Sequence, residues 1–297
     1  MPDPDAQRQL AQRLRAEALF GVDVVPLPGP VEPIDDRPPA RSSSSAAAPT
    51  PSPARPPARP SPARPVPPPP PRRSPAPPAT PAITMFPASA DDDLAGQTLP
   101  ADDKRRLLDE LNRSQVVGCE KCGLCQARTQ TVFGEGNPDA RLMFIGEGPG
   151  QTEDQTGRPF VGRAGELLDK QIEAMGLKRE DVYIANVVKC RPPNNRTPTP
   201  EEVATCGPYL VRQVRIVRPA AIVTLGGPAS KMLLSTSEGI TRLRGRWGVF
   251  DVTEPPVPVM PTFHPAFLLR AYTRDNRMKV WADLQAVMQK LGMKPGG

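Results

Sequence analysis

From Ala101 onward, short apolar runs alternate with stretches of helical period. RLMFIGE (141–147), VYIANVV (182–188) and AAIVTLG (220–226) are nearly continuous apolar runs, which predicts strands buried on both faces. ADDKRRLLDEL (101–111) predicts a helix opened by acids and carrying Leu107, Leu108 and Leu111. Residues 163–175 predict a helix around Leu167, Leu168 and Ile172. Thr199–Pro200–Glu201–Glu202 opens another that runs to Val217, with proline in its first turn. A short helix at 228–234, strands near 248–252 and 257–262, and a last helix from Asp275 to Leu291 complete the pattern. The alternation predicts an α/β fold of three α/β/α layers around a central, mainly parallel four-stranded sheet. In such sheets, ligands sit beyond the carboxyl ends of the strands.

Before residue 101 the pattern is lost. Residues 5–20 (DAQRQLAQRLRAEALF) place Leu10 and Leu14 four apart, which predicts a short helix within residues 1–24, either free-standing or docked on a partner. Residues 25–100 are Pro-, Ala-, Ser- and Arg-rich with few large apolar side chains. Such a segment cannot offset its ordering entropy, so it is expected to be a disordered, partly polyproline-II linker. Residues 41–88 hold six arginines and no acid, so the tail offers non-specific contact with DNA or an acidic partner; a spacer is the first reading and a regulatory arm the second. Residues 101–297 then form one domain, large enough for a well-buried core.

No apolar run reaches the roughly 20 residues of a membrane span, and MPDPDAQRQL lacks a basic-then-apolar leader, so a cytoplasmic protein without a membrane partner is expected. The tail balances ten arginines against ten acids in residues 1–97, so the whole net charge of +6 falls on the remainder. A basic surface suits phosphate backbones, and it equally serves solubility. All five cysteines lie between Cys119 and Cys206, an odd and clustered set that argues for a metal or cluster rather than disulfides. The spacing Cys119-x2-Cys122-x2-Cys125, then Cys190 and Cys206, leaves zinc and a [4Fe–4S] cluster both open.

Three strand ends carry candidate chemistry. The first runs into Gly146–Glu147–Gly148–Pro149–Gly150, a loop that a ligand can approach closely but that has neither P-loop nor dinucleotide spacing. The second ends in Asn186, just before Lys189 and Cys190. The last ends in Thr262–Phe263–His264–Pro265, and His264 is the only histidine in the chain. Beyond it, Ala266–Phe267–Leu268–Leu269–Arg270 reads either as a helix start with its core face or as an apolar wedge entering a duplex, with Arg270 on a phosphate.

The stretch CEKCGLCQARTQTVFGEGNPDARLMFIGEGPGQTEDQTGRPFVGRAGELL, followed by YIANVVKCRPPNNRTPTPEE, a further Cys and FHPAFLLR, resembles the family-four uracil-DNA glycosylases over residues 115–291. The resemblance implies excision of uracil from DNA, single- or double-stranded, by a monomeric, monofunctional enzyme of base excision repair. It implies a [4Fe–4S] cluster on Cys119, Cys122, Cys190 and Cys206, with Cys125 a spare thiol that is able to substitute. It implies that Gly146, Glu147, Gly148 and Pro149 contact the base, Phe160 stacks on it, Asn186 reads its amide edge, and His264 faces uracil O2. Leu268, Leu269 and Arg270 fall to the DNA. Where the family usually has Pro-Ser-Tyr-Leu-Leu after the histidine, this chain has Pro-Ala-Phe-Leu-Leu, which removes two hydroxyls from the DNA face.

The residue types agree with that chemistry. A base must be flipped out of the duplex before it can be reached, and stacking on Phe160 recovers part of the cost. A carboxamide at Asn186 matches uracil and mismatches cytosine, which reverses the donor pattern. Donors from His264 and the Gly148 backbone N–H stabilise charge on the departing uracil. Gly148 stands where family-one enzymes carry a water-orienting aspartate, so either Glu147 positions water or leaving-group stabilisation dominates; the second is preferred. Glu153 and Asp154 are read as structural. Two competing readings are a uracil-DNA binder without turnover and an iron–sulfur electron-transfer protein.

Overall fold

The computed structural model describes Leu94 and residues 96–293. The helix expected at 5–20 and nearly all of the Pro-rich segment lie outside the described residues.

The three long apolar runs and the strand expected at 257–262 become the centre of the sheet. Strand β2 (Leu142–Gly146) pairs in parallel with β3 (Tyr183–Asn186) on one side and with β4 (Ala221–Leu225) on the other. Strand β4 pairs in parallel with β6 (Val257–Thr262). Every residue of β2, β3 and β4 is buried, as strands covered on both faces require.

The sheet has six strands rather than four. Strand β1 (Glu135–Gly136) lies antiparallel on β3, and β5 (Gly248–Phe250) antiparallel on β6, giving the order β1-β3-β2-β4-β6-β5. A two-residue strand made of Glu and Gly carries no periodicity, so β1 leaves no mark in the pattern.

Alternate residues of each strand feed two cores. Met143 and Ile145 point into one, with Leu111, Leu210, Val214 and Val259. Leu142 and Phe144 point into the other, with Leu168, Ile172, Val223 and Leu284. Helices α1 (Ala101–Leu111) and α4 (Pro200–Val217) therefore cover the first face. Helices α3 (Arg163–Ala174) and α8 (Arg274–Lys290) cover the second. Short helices α2 (Gln151–Thr156), α5 (Gly227–Leu233), α6 (Ile240–Leu243) and α7 (Pro265–Arg270) sit at the connections.

The start of α4 follows its sequence signal closely. The Thr199 hydroxyl accepts from the Glu202 N–H at 3.3 Å, and the Glu202 carboxylate accepts from the Thr199 N–H at 2.8 Å. Packing begins earlier than Ala101: Leu94 lies against the first core, and the Gln97 carbonyl accepts from Arg218 at 3.0 Å.

Candidate active site

The loops that leave β2, β3, β4 and β6 converge on one cavity of about 580 Å³. Its wall includes Glu147, Gly148, Pro149, Phe160, Asn186 and His264, so six of the expected base-contacting residues come together. Residues scattered over more than a hundred positions meet there because parallel strands all release their chains at the same sheet edge.

His264 caps α7. Its Nδ1 accepts a hydrogen bond from the Ala266 backbone N–H at 3.0 Å. A neutral imidazole that accepts at Nδ1 must carry its proton on Nε2, which makes Nε2–H a donor. Burial, reinforced by the Arg270 guanidinium, lowers the pKa of His264 to about 4. Protonating Nδ1 would also set two donors face to face across the cap. The end of β6 is fixed from behind, where the buried Asp283 accepts from Thr262 at 2.7 Å and from Arg244 at 2.6 Å. At Gly226, which has a φ of +91°, an added Cβ would sit 3.1 Å from the His264 Cβ, so a glycine there lets the histidine approach β4.

Asn186 is buried, and its Oδ1 has no hydrogen-bond partner among the described residues. An unsatisfied buried carbonyl costs about 1–3 kcal/mol, which a ligand's N–H would recover. Gly146 makes the meeting of Asn186 and Phe160 possible: an added Cβ would lie 2.5 Å from Asn186 Oδ1 and 2.5 Å from Phe160 Cζ. Gly146 thus shapes the cavity from behind and is not itself part of its wall. Phe160 sits with its ring centroid 5.6 Å from that of His264.

The glycine-rich loop is tied to the chain leaving β3. The Gly146 carbonyl accepts from the Val187 N–H at 3.0 Å, and the Glu147 carbonyl from the Val188 N–H at 3.2 Å. The Gly148 N–H donates to no protein group among the described residues. Burial raises the Glu147 carboxyl above its ordinary value, although a hydrogen bond to Thr197 opposes the shift. Thr197 belongs to a lip, Pro192 to Thr197, that sequence reasoning did not single out. Arg196 braces it through two bonds to Glu202, at 2.8 and 2.6 Å.

The segment after His264 is helix α7, and its helical phase corrects one expectation. Leu268 is fully buried in the second core, so it anchors the helix and is not a wedge. Leu269 is half-buried and lines a groove with Arg163, Lys170 and Tyr272, while Arg270 is exposed at the rim of the large cavity. Glu153, read as structural, does hold structure: its Oε1 accepts from the Val161 and Gly162 N–H groups at 3.0 and 2.9 Å, fixing the loop beyond Phe160.

On the other side of β3, Cys119, Cys122, Cys190 and Cys206 line one small cavity, and Cys125 is not in its wall. Arg128 donates to Cys190 Sγ at 3.2 Å, the Lys189 N–H donates to Cys206 Sγ at 3.2 Å, and Cys119 Sγ lies 3.3 Å from the Tyr209 hydroxyl. Among the described residues, no three histidine, cysteine or carboxylate groups are grouped to hold one metal ion. Four thiols around a common cavity, with N–H donors and a guanidinium aimed at sulfur, form a donor set that suits a thiolate-bound, negatively charged cluster.

The family described as "Uracil DNA glycosylase superfamily" matches residues 133–285. The type-4 uracil-DNA glycosylase of Thermotoga maritima is 47% identical over 188 residues, covering 61% of this chain and 93% of that protein. That of Sulfurisphaera tokodaii is 49% identical over 182 residues, covering 60% of this chain and 82% of the relative. A type-5 uracil-DNA glycosylase of Pyrobaculum aerophilum is 36% identical over 146 residues, covering 44% and 63%.

Proposed function

The chain belongs to the uracil-DNA glycosylase superfamily, and from that premise we propose that it hydrolyses the N-glycosidic bond of an extruded deoxyuridine in DNA, leaving an abasic site for base excision repair. The observation that carries the site assignment is the convergence of an unpartnered Asn186 Oδ1, the Phe160 ring and a neutral His264 on one cavity.

Extruded uracil stacks on Phe160. Asn186 Oδ1 accepts its N3–H, and the amide nitrogen donates to O4. Cytosine presents an acceptor at N3 and a donor at the 4-position, so both contacts would fail and leave buried groups unpaired. As the glycosidic bond lengthens, negative charge collects on uracil O2, where the His264 Nε2–H and the Gly148 N–H donate to it. A neutral donor suits this role, because it need not release a proton to the product. Glu147 borders the same cavity and contributes modestly to placing water, while leaving-group stabilisation dominates. At the rim, Arg270 and Leu269 contact the DNA backbone and the gap left by the flipped base.

Cys119, Cys122, Cys190 and Cys206 would hold a [4Fe–4S] cluster, which ties the segment before β1 to the loop after β3 when bound. Arg128 offsets part of the charge on that thiolate set.

Single-turnover excision from a uracil-containing oligonucleotide tests the reading. Wild-type protein should convert it to an abasic site, and His264→Ala and Asn186→Ala should each be slower by about 10²–10³-fold. Variants as fast as wild type would refute the assignment.

A further inference from the structure

The stacking aromatic is held in a conformation that aromatic residues rarely adopt. Phe160 has a φ of +49°, in the left-handed region, with its side chain buried. Its carbonyl is pressed so close to α3 that a Cβ on Gly165 would lie 1.9 Å from the Phe160 oxygen. Something must hold this turn, and one side chain reaches it from outside the cavity.

That side chain is Arg179, in the turn before β3. Its guanidinium donates to the Pro159 carbonyl at 2.5 Å and to the Phe160 carbonyl at 3.2 Å. It is itself aimed by two carboxylates: Asp169 on α3 accepts at 2.7 Å and Glu135 on β1 at 2.9 Å. Glu135 is gripped in turn by Arg158, two residues before Phe160, at 2.8 and 3.0 Å. The planar fork of arginine spans two carbonyls and two carboxylates at once, which the point charge of a lysine cannot do. Arg179 does not line the cavity.

We infer that Arg179 is the positioning residue of the site: by clamping the Pro159 and Phe160 carbonyls against Glu135 and Asp169, it fixes the aromatic ring over the extruded base. This rests on the reading of Phe160 as the stacking platform. The clamp acts on base capture and alignment, and not on bond breaking.

A double-mutant cycle tests it. Excision by wild type, Arg179→Gln, Phe160→Ala and the double variant is compared, with KM and kcat resolved and thermal midpoints recorded. Phe160→Ala and Arg179→Gln should each lower kcat/KM by about ten-fold, and the double variant should be no worse than Phe160→Ala alone. Arg179→Lys should recover little. Asp169→Asn leaves the guanidinium in place but loosens its aim; it should show a milder loss that likewise vanishes on a Phe160→Ala background, and it serves if Arg179→Gln does not fold. Multiplicative losses, or a loss that tracks only the thermal midpoint, would overturn the clamp. Full activity of Phe160→Ala would instead overturn the stacking role on which it rests.

Discussion

Only three residues separate Asn186, in the wall of the large cavity, from Cys190, in the wall of the thiol cavity, yet the two regions treat their polar atoms in opposite ways. Around the thiols, three of the four sulfurs already have a hydrogen-bonding neighbour, in Tyr209, Arg128 or the Lys189 N–H. Around the large cavity, Asn186 Oδ1 and the Gly148 N–H are left without partners among the described residues. Buried groups without partners are costly, so they persist where a passing ligand satisfies them. A resident group needs a finished shell; a substrate needs an unfinished one. The loop after β3 borders both cavities.

The largest expected effect breaks the unfinished side alone. His264→Ala and Asn186→Ala should remove about 10²–10³-fold of the excision rate while leaving iron content near wild type, with His264→Ala lowering the thermal midpoint by only the few degrees that loss of the α7 cap costs. Cys206→Ser should do the reverse, losing iron and the visible absorbance and lowering the unfolding temperature by about 10 °C. Cys125→Ser, outside the thiol cavity, should keep both. A colourless wild-type protein holding one zinc would contradict the cluster reading.

Smaller effects sharpen the boundary. Glu147→Gln should slow excision by less than about ten-fold, since water placement is secondary to leaving-group stabilisation. A loss as large as that of His264→Ala would reverse that ranking. Leu268 and Leu269 separate fold from DNA contact. Leu268→Ala should cost about 2–5 kcal/mol of stability in denaturant melts, with excision per folded molecule unchanged. Leu269→Ala should leave stability nearly unaltered and weaken duplex binding a few-fold. Arg270→Ala should reduce the salt slope of DNA affinity by about one.

The central strands were legible because each is an apolar run with glycine or a polar residue at its carboxyl end, and those ends carry Gly146, Asn186 and His264. Strand β1 was not, because two residues have no period. Adjacent leucines look alike in sequence, and only the phase of α7 turns Leu268 inward and leaves Leu269 half-exposed. Arg179 escaped for a different reason. It acts through backbone carbonyls brought near by the fold, and no spacing encodes those partners. The resemblance carried the residues that would touch the base; their supports emerged only in three dimensions.

A neutral His264 is set to donate from Nε2, and its titration has a definite sign. An unfolded chain takes up this proton near pH 6.5, and the folded one only near pH 4. The stability that His264 contributes is therefore complete above about pH 6.5 and is lost as pH falls toward 4. Because His264 is the only histidine, ¹⁵N-histidine labelling gives a single imidazole to follow by NMR. The predicted spectrum shows an unprotonated Nδ1 and a protonated Nε2 from pH 8 down to about pH 5, with the Nε2 proton shifting when uracil is added. A midpoint near pH 6.5, or a proton on Nδ1, would contradict it.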